Sequence, residues 1–300
     1  MVEITDSMRN NKNYNGNTRK FGVTLNGVDY IVKFSKNNDM SVYCEYIASE
    51  FIRSLGISCH EVTVGVYKGE IVNIIKDFTS NEKYSLHSYK DTKQTSEDTD
   101  IGSKEYTYND ILYLIDKHLK LSDKDKELAK KSFWNMFIVD AILGNRDRHW
   151  GNWGYLAYKN RYNLAPLYDN GASLYPNVNN VIISYINEET RYKFLYERVF
   201  TFPASLFKIK KEDRCYRSNY YEMFSDLRVN KIFASQVKTF RLKYDYKEIY
   251  SRIYNIVNNL GIPIEYKRFY VEIVTLRYMC IIERKDFSCS YRIVERMLNK

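Results

Sequence analysis

A chain of 300 residues with 44% hydrophobic content is long enough to bury a large core and too apolar to be disordered, and such a chain usually forms one large domain or two smaller ones. Its formal charge of +9 is spread through 46 basic and 37 acidic residues, which suits contact with nucleotides and equally suits plain solubility; no basic run argues for direct nucleic-acid binding. There is no run of 18 apolar residues, and residues 1–6 carry no basic segment leading into an apolar one, so neither a membrane span nor a leader is expected and the cytoplasm is the expected compartment.

Residues 14–20 precede an alternating run, 21–34, broken by Asn26-Gly27. Asn-Gly between alternating apolar positions is a strong signal for a two-residue hairpin. The turn ahead of it, with Gly16, Asn17, Thr18 and Lys20, either lays backbone N–H groups over phosphates or is a plain surface turn. Lys33 lies in Tyr-Ile-Val-Lys-Phe, a strand by its β-branched and aromatic content. Such a lysine is either solvated at an edge or turned toward a phosphate and a helix carboxylate. Residues 41–55 form a helix ended by Gly56, with Cys44, Ala48, Phe51, Ile52 and Leu55 in one stripe. Glu45 borders that stripe and Glu50 lies on the far side, so Glu45 is the better partner for Lys33. Strands over 61–66 and 70–75 follow, and the second leads into Ile75-Lys-Asp77-Phe78. Residues 79–105 are polar without periodicity and read as a mobile loop.

From Tyr106 the pattern becomes helical. Ser122 with Asp125 reads as a capping box. The helix runs to Leu143, and its last half is apolar nearly all round, hence buried; Gly144 stops it. A hairpin follows, with strands over 153–158 and 162–168. Opposite residues of an antiparallel pair lie about 4.5–5.5 Å apart at Cα, so the hairpin base brings Asn152 and Asp169 together across 17 positions. A carboxylate and an amide oxygen facing one point suit Mg²⁺, with phosphates and water completing the shell. The alternative is an Asx-rich turn whose side chains cap their own backbone. Carboxylates gathered there without a cation would repel, so removing one should raise stability. After Ala172 comes a less regular region to about residue 230. Helices over 246–260, ended by Gly261, and over 263–284, with Pro263 in the first turn, close the chain. Five cysteines, at 44, 59, 215, 280 and 289, form no close pair and read as reduced thiols.

Asp147 and Asn152 have the spacing of the Asp and Asn in a protein-kinase catalytic loop, and Asp169-Asn-Gly stands where a kinase carries a metal-binding Asp. Together Gly16 to Lys20, Tyr-Ile-Val-Lys33-Phe, Glu45-Tyr-Ile-Ala, Asn-Arg-Asp147-Arg-His-Trp-Gly-Asn152 and Leu-Ala-Pro-Leu-Tyr-Asp169 resemble the HipA-like serine/threonine kinases over residues 14–172. The resemblance implies an α+β, two-lobed, protein-kinase-like fold, with a small β-rich lobe over 1–80 and a mostly helical lobe over 81–300. It implies ATP and Mg²⁺ as cofactors, Asp147 as the catalytic residue, Asn152 and Asp169 as metal ligands, and Lys33, paired with Glu45, as the ATP lysine. Gly16, Asn17, Thr18 and Lys20 would cover the phosphates, and Ile75, Asp77 and Phe78 would cross between lobes and meet adenine. Arg146 and Arg148 would touch phosphate or be solvated, and His149 would support the loop rather than act as its base.

Members of this family phosphorylate proteins on Ser or Thr. Some phosphorylate a hydroxyl in their own phosphate-covering turn, which points to Thr18. Several are toxins paired with a small DNA-binding antitoxin, so a protein substrate and an antitoxin-like partner are the partners the resemblance implies. Too few residues precede Lys33 for the extra N-terminal subdomain of longer members, so a compact form is expected and the toxin role stays open. Two rivals stand beside this reading: a phosphatidylinositol or small-molecule kinase, whose loops share Asp-Arg-His-x-x-Asn, and a pseudokinase that only binds.

Overall fold

The computed structural model describes residues 1–14, 18–35, 39–79, 83–94, 107–118, 120–159, 161–179, 186–212, 214–227 and 230–299. The chain divides into two compact units, residues 1–92 with 150–177 and residues 93–149 with 178–300. The hairpin carrying Asn152 and Asp169 therefore groups with the sheet-rich residues, where a cut at residue 80 would place it with the helices.

The first unit holds a five-stranded sheet in the order β1 (Val2–Ile4), β4 (Val62–Tyr67), β5 (Glu70–Lys76), β3 (Val28–Phe34), β2 (Lys20–Leu25). Only β1 and β4 run parallel. The β2–β3 turn has Asn26 at φ 51 and Gly27 at φ 75, as a two-residue turn matched to strand twist requires. Alternation then sorts the two faces. Val32, Phe34, Val72 and Ile74 turn to one apolar cluster with Ile4, Val23 and Tyr67. Lys33 and Asn73, opposite each other in the register, turn the other way. There lies α1 (Ser41–Ser54), whose Val42 carbonyl accepts from Asn73 at 2.8 Å.

A second sheet contains β6 (Ser85–Ser88), β7 (Gly154–Tyr158) and β8 (Arg161–Leu164) in that order. β6 and the short helix α2 (Tyr89–Gln94) occupy part of the stretch read above as a mobile loop. Four residues with little alternation leave no local strand signal; the partner strand supplies it. Gly154 is what lets β6 approach, since a Cβ there would lie 2.1 Å from the His87 carbonyl oxygen. Tyr89 is buried and stacks on Trp153 at 4.2 Å between ring centroids. This ties 85–89 to the hairpin and explains why the hairpin belongs to the first unit.

The second unit is mostly helical. Among its described residues the helices are α3 (Tyr108–Asp116), α4 (Asp123–Leu143), α5 (Glu188–Phe200), α6 (Tyr220–Asp226), α7 (Lys231–Lys243), α8 (Tyr246–Asn258), α9 (Ile264–Arg277) and α10 (Phe287–Leu298). A hairpin, β9 (Ala204–Lys211) and β10 (Arg214–Asn219), lies between α5 and α6. The region after Ala172 is thus more regular than its sequence suggests. The helix read over 263–284 is α-helical only to Arg277 and continues as a π-helical turn, Tyr278–Ile282. α4 is the axis of this unit: Phe133, Trp134 and Phe137 are buried and pack on Phe207, Phe224 and Phe233. Its N-cap is Ser122, which accepts from the Asp125 N–H. The Asp125 carboxylate accepts from the Ser122 hydroxyl, so the reciprocal backbone bond of a capping box is not the arrangement here. Among the described residues no helix is long and apolar enough to cross a membrane.

Candidate active site

Lys33 reaches from the helix-facing side of β3 to two carboxylates. Its Nζ lies 2.9 Å from Glu45 Oε2 and 2.5 Å from Asp169 Oδ1. Glu45 is 1% exposed, whereas the Asp169 side chain is 44% exposed. The pair foreseen from the stripe on α1 therefore forms, and Asp169 joins it from 136 positions along the sequence.

Glu45 is the hub. Oε2 accepts from Lys33 and from the Gly171 N–H at 3.0 Å. Oε1 accepts from the Asn170 N–H at 2.7 Å and lies 3.1 Å from His60 Nε2. Two partners on each oxygen saturate a carboxylate. Asn170, fully buried, also sends its Nδ2 to Ser49 Oγ at 3.0 Å and to Cys59 Sγ at 3.3 Å. The whole Asp-Asn-Gly motif is thus held by α1 and the segment just after it. Gly171 is closely packed: a Cβ would lie 3.0 Å from Glu45 Oε2 and 3.3 Å from the Ser41 carbonyl oxygen. Asp169 itself stands at φ 58, a left-handed conformation that Asp tolerates better than most residues.

Electrostatics follow from this packing. Burial disfavours the charged form of Glu45, but Lys33, His60 and the Asn170 N–H outweigh it and hold its carboxyl below the usual range. Burial likewise pushes the Lys33 ammonium down, and Glu45 and Asp169 more than reverse it. Lys20 pairs opposite Lys33 in the β2–β3 register; burial and then Lys33 lower its pKa, against Asp169 and Glu45. Lys20 is therefore a second cation on the same face.

The remaining expectations fall out unevenly. Thr18 is half-buried just ahead of β2. Gly16 and Asn17 lie outside the described residues. Ile75 sits in the central strand, paired with Ile31 on one side and Val62 on the other. The Asp77 N–H donates to the Asp29 carbonyl at 2.9 Å, and its carboxylate accepts from the Tyr14 hydroxyl at 2.8 Å and the Thr79 hydroxyl at 2.5 Å. These partners make Asp77 an anchor for residues 12–14 and 79. Phe78 packs on Tyr168 at 5.9 Å between centroids. Asn152 is buried just before β7, and the Tyr168 hydroxyl donates to the neighbouring Gly151 carbonyl at 2.9 Å, which ties the two ends of the hairpin.

Asp147 belongs to the second unit. Gly144, at φ 65, ends α4, and the next turn is built on Asp140. Arg148 Nε and Nη2 each lie 2.9 Å from that carboxylate, and Asn145 Nδ2 lies 3.1 Å from it. Asn145 Oδ1 accepts from the Asp147 N–H at 2.9 Å, and the Tyr220 hydroxyl donates to the Asn145 carbonyl at 2.6 Å. Arg148 is buried and bidentate, so it is a strut rather than a phosphate contact. Asp147, Arg146 and His149 are exposed.

Sequence reasoning missed His60, Asn170, Ser49 and the Asp140–Arg148 pair. Ser49 lies one helical turn beyond Glu45, the i+4 position, and was the one signal available in the sequence.

Comparisons with known proteins bear on the family and the fold. A family model described as the HipA-like C-terminal domain matches residues 13–212. The serine/threonine-protein kinase CtkA of Helicobacter pylori strain J99 is 36% identical over an alignment of 225 residues that covers 70% of this chain and 65% of that protein. The match thus spans a little under two thirds of that relative's length. A crystal structure of a Helicobacter pylori proinflammatory kinase CtkA superposes with a TM-score of 0.82 at 29% identity, covering 98% of each chain. HipA of Shewanella oneidensis MR-1, solved with HipB and its operator DNA, superposes with a TM-score of 0.57 at 13% identity, covering 96% of this chain and 68% of that one. The α+β fold expected from the sequence is the fold of these proteins.

Proposed function

The chain belongs to the HipA-like C-terminal domain family, and we propose that it is an ATP-dependent serine/threonine protein kinase. The observation that carries the reading is Lys33 held between the buried Glu45 and the half-exposed Asp169. The name of the Helicobacter pylori relative supports it.

The donors present fit Mg²⁺ held in the manner of a kinase. Among the described residues no three His, Cys, Asp or Glu side chains form a self-contained metal cluster. Mg²⁺ is commonly held by one or two carboxylates with substrate phosphates and water, and Asp169 with the Asn152 amide oxygen are hard donors of that kind. Bound Mg²⁺-ATP would supply the transferable phosphoryl group and neutralise charge on it.

The chain's own residues do the positioning. Lys33 stays cationic because two carboxylates outweigh its burial, and it meets phosphate oxygens as a point charge. Glu45 aims Lys33 and fixes Asn170 and Gly171, so Asp169 presents its carboxylate in one direction. Lys20 adds positive charge beside them. Asp147 orients the acceptor hydroxyl and takes its proton, a role that asks for an exposed carboxylate on a stiff frame. We assign the adenine edge to the segment of Ile75, Asp77 and Phe78.

The test is transfer of labelled γ-phosphate to lysate proteins and to the chain itself. Wild type should label Ser or Thr in the presence of Mg²⁺, with Lys33→Ala and Asp147→Ala each near background. Wild type labelling no better than Asp147→Ala would sink the reading. The fold shared with a HipA solved beside HipB and operator DNA makes a small antitoxin-like protein the second partner to seek, by co-purification with the product of the neighbouring reading frame.

A further inference from the structure

We propose that His60 is a positioning residue for the nucleotide site, acting through Glu45 and Asn170 to hold Asp169 in place. The proposal rests on the kinase reading for its consequence and on geometry alone for its mechanism. His60 is 3% exposed, and it meets the Asp-Asn-Gly motif at both ends. Its backbone N–H donates to the Leu167 carbonyl at 2.9 Å, while the Leu167 N–H donates to the Ser58 carbonyl at 2.9 Å. That two-bond pairing fixes the chain as it enters the motif. Its side chain works on the exit: Nε2 lies 3.1 Å from Glu45 Oε1 and 3.0 Å from Ser49 Oγ. Those two oxygens accept the Asn170 N–H and the Asn170 side-chain amide. One imidazole nitrogen thus touches two of the three acceptors that hold the residue after Asp169, the third being Cys59 Sγ.

The arrangement matters because Asp169 is at φ 58. Left-handed conformations of non-glycine residues persist where the surroundings over-determine them. Here the surroundings are the two N–H groups that follow Asp169, both bound to Glu45. Without the imidazole, Oε1 keeps one partner and the carboxylate can turn about its own axis toward Lys33. Turning releases Asn170 first, and with it the direction of the Asp169 side chain. A group of this kind behaves as the outer support of a metal ligand, whose loss typically costs about 10–100-fold in affinity or activity.

Two readouts test it. In nucleotide-free protein, hydrogen exchange at the Asn170 and Gly171 amides should speed up in His60→Leu, which keeps bulk and removes the donor. It should stay close to wild type in His60→Gln, whose amide nitrogen reaches the place of Nε2. In kinetics, His60→Leu should raise KM for Mg²⁺-ATP by about 10–100-fold and leave KM for the protein acceptor as in wild type, and His60→Gln should recover most of that loss. Should His60→Leu not fold, His60→Asn, too short to reach Oε1, takes its place. Exchange at both amides unchanged in the Leu or Asn variant would overturn the proposal, and so would equal damage in the Leu and Gln variants. Exchange needs no nucleotide, so a wild-type protein that transfers no phosphate would sink the kinase reading while leaving the amide result to decide the role of His60.

Discussion

Glu45 and Asp147 are carboxylates placed in opposite ways. Glu45 is buried, and its four donors come from β3, the segment after α1 and the two residues that follow Asp169. Asp147 is exposed, and the frame that presents it is drawn from Asp140, Asn145 and Arg148, all within eight positions of one another. A saturated carboxylate cannot take a proton from a substrate without releasing a donor. An exposed one on a stiff turn can. In the proposed kinase, the difference separates the charge that builds the site from the charge assigned to proton transfer.

Crossing the two mutations breaks or upholds that separation and gives the largest effects. Asp147→Ala should lower turnover by about 10²–10⁴, the usual contribution of a positioned base, with stability changed by no more than about 0.5 kcal/mol. Glu45→Ala should cost about 3–5 kcal/mol of stability, as removal of one partner from a buried ion pair does. Denaturant melts and initial rates on both proteins check this. Similar stability losses in the two would erase the contrast.

Arg148 tests the frame itself. Asp140 is fully buried and Arg148 nearly so, joined by two bonds of 2.9 Å. Arg148→Met leaves that carboxylate without its guanidinium, so a loss of about 3–5 kcal/mol is expected. Arg148→Lys supplies charge without the planar fork and should recover only part of it. A Met variant as stable as wild type would mean that the turn does not depend on this pair.

The Glu45 side of the comparison also has a pH signature. Its folded-state carboxyl lies below the ordinary value of 4.5, so the unfolded chain binds that proton more readily. Its contribution to stability is whole above pH 4.5 and is lost as pH falls through the depressed folded value. The stability gap between wild type and Glu45→Gln should therefore narrow as pH drops from about 6 to about 3. Lys33 adds nothing to that window, since its raised pKa matters only in alkali. A gap that stays constant in acid would mean that Glu45 is not stabilised as an anion.

Much of this was legible in the sequence where the cause is local. Asn26-Gly27, the stripe on α1 and Gly144 after α4 each act within a few residues, so the β2–β3 hairpin, α1, the end of α4 and the turn before Asp147 could be placed. The roles of His60 and Asn170 could not, because Asn170 meets Glu45 across 125 positions and nothing near either residue marks the meeting. β6 is a strand only because Gly154 lets it pair. β9 is a different case: Phe207 and Ile209 are buried and alternate with Lys208 and Lys210, so its period of two was present and overlooked. From the sequence Arg148 is expected to touch phosphate or be solvated, because its partner Asp140 lies eight positions back inside α4.

The smallest expected effect decides a sign. Carboxylates gathered without a counterion would make the loss of Asp169 stabilising, as its motif suggests. Lys33 Nζ, however, lies 2.5 Å from Asp169 and 2.9 Å from Glu45, so the nearest charge to Asp169 is positive. Its side chain is 44% exposed, and water weakens the pair to the range of surface ion pairs, about 0.2–1 kcal/mol. Asp169→Asn is the clean probe, since Asn also tolerates the left-handed backbone and only the charge is removed. Nucleotide-free Asp169→Asn should be less stable than wild type by less than about 1 kcal/mol, and the gap should shrink in high salt. Adding Mg²⁺ and ATP should then widen it, because a ligand that binds only the folded state stabilises it more the more tightly it binds, and the variant lacks the carboxylate proposed to hold the metal. A variant more stable than wild type without nucleotide would mean that Lys33 is committed to Glu45 alone and that Asp169 waits with its charge unbalanced.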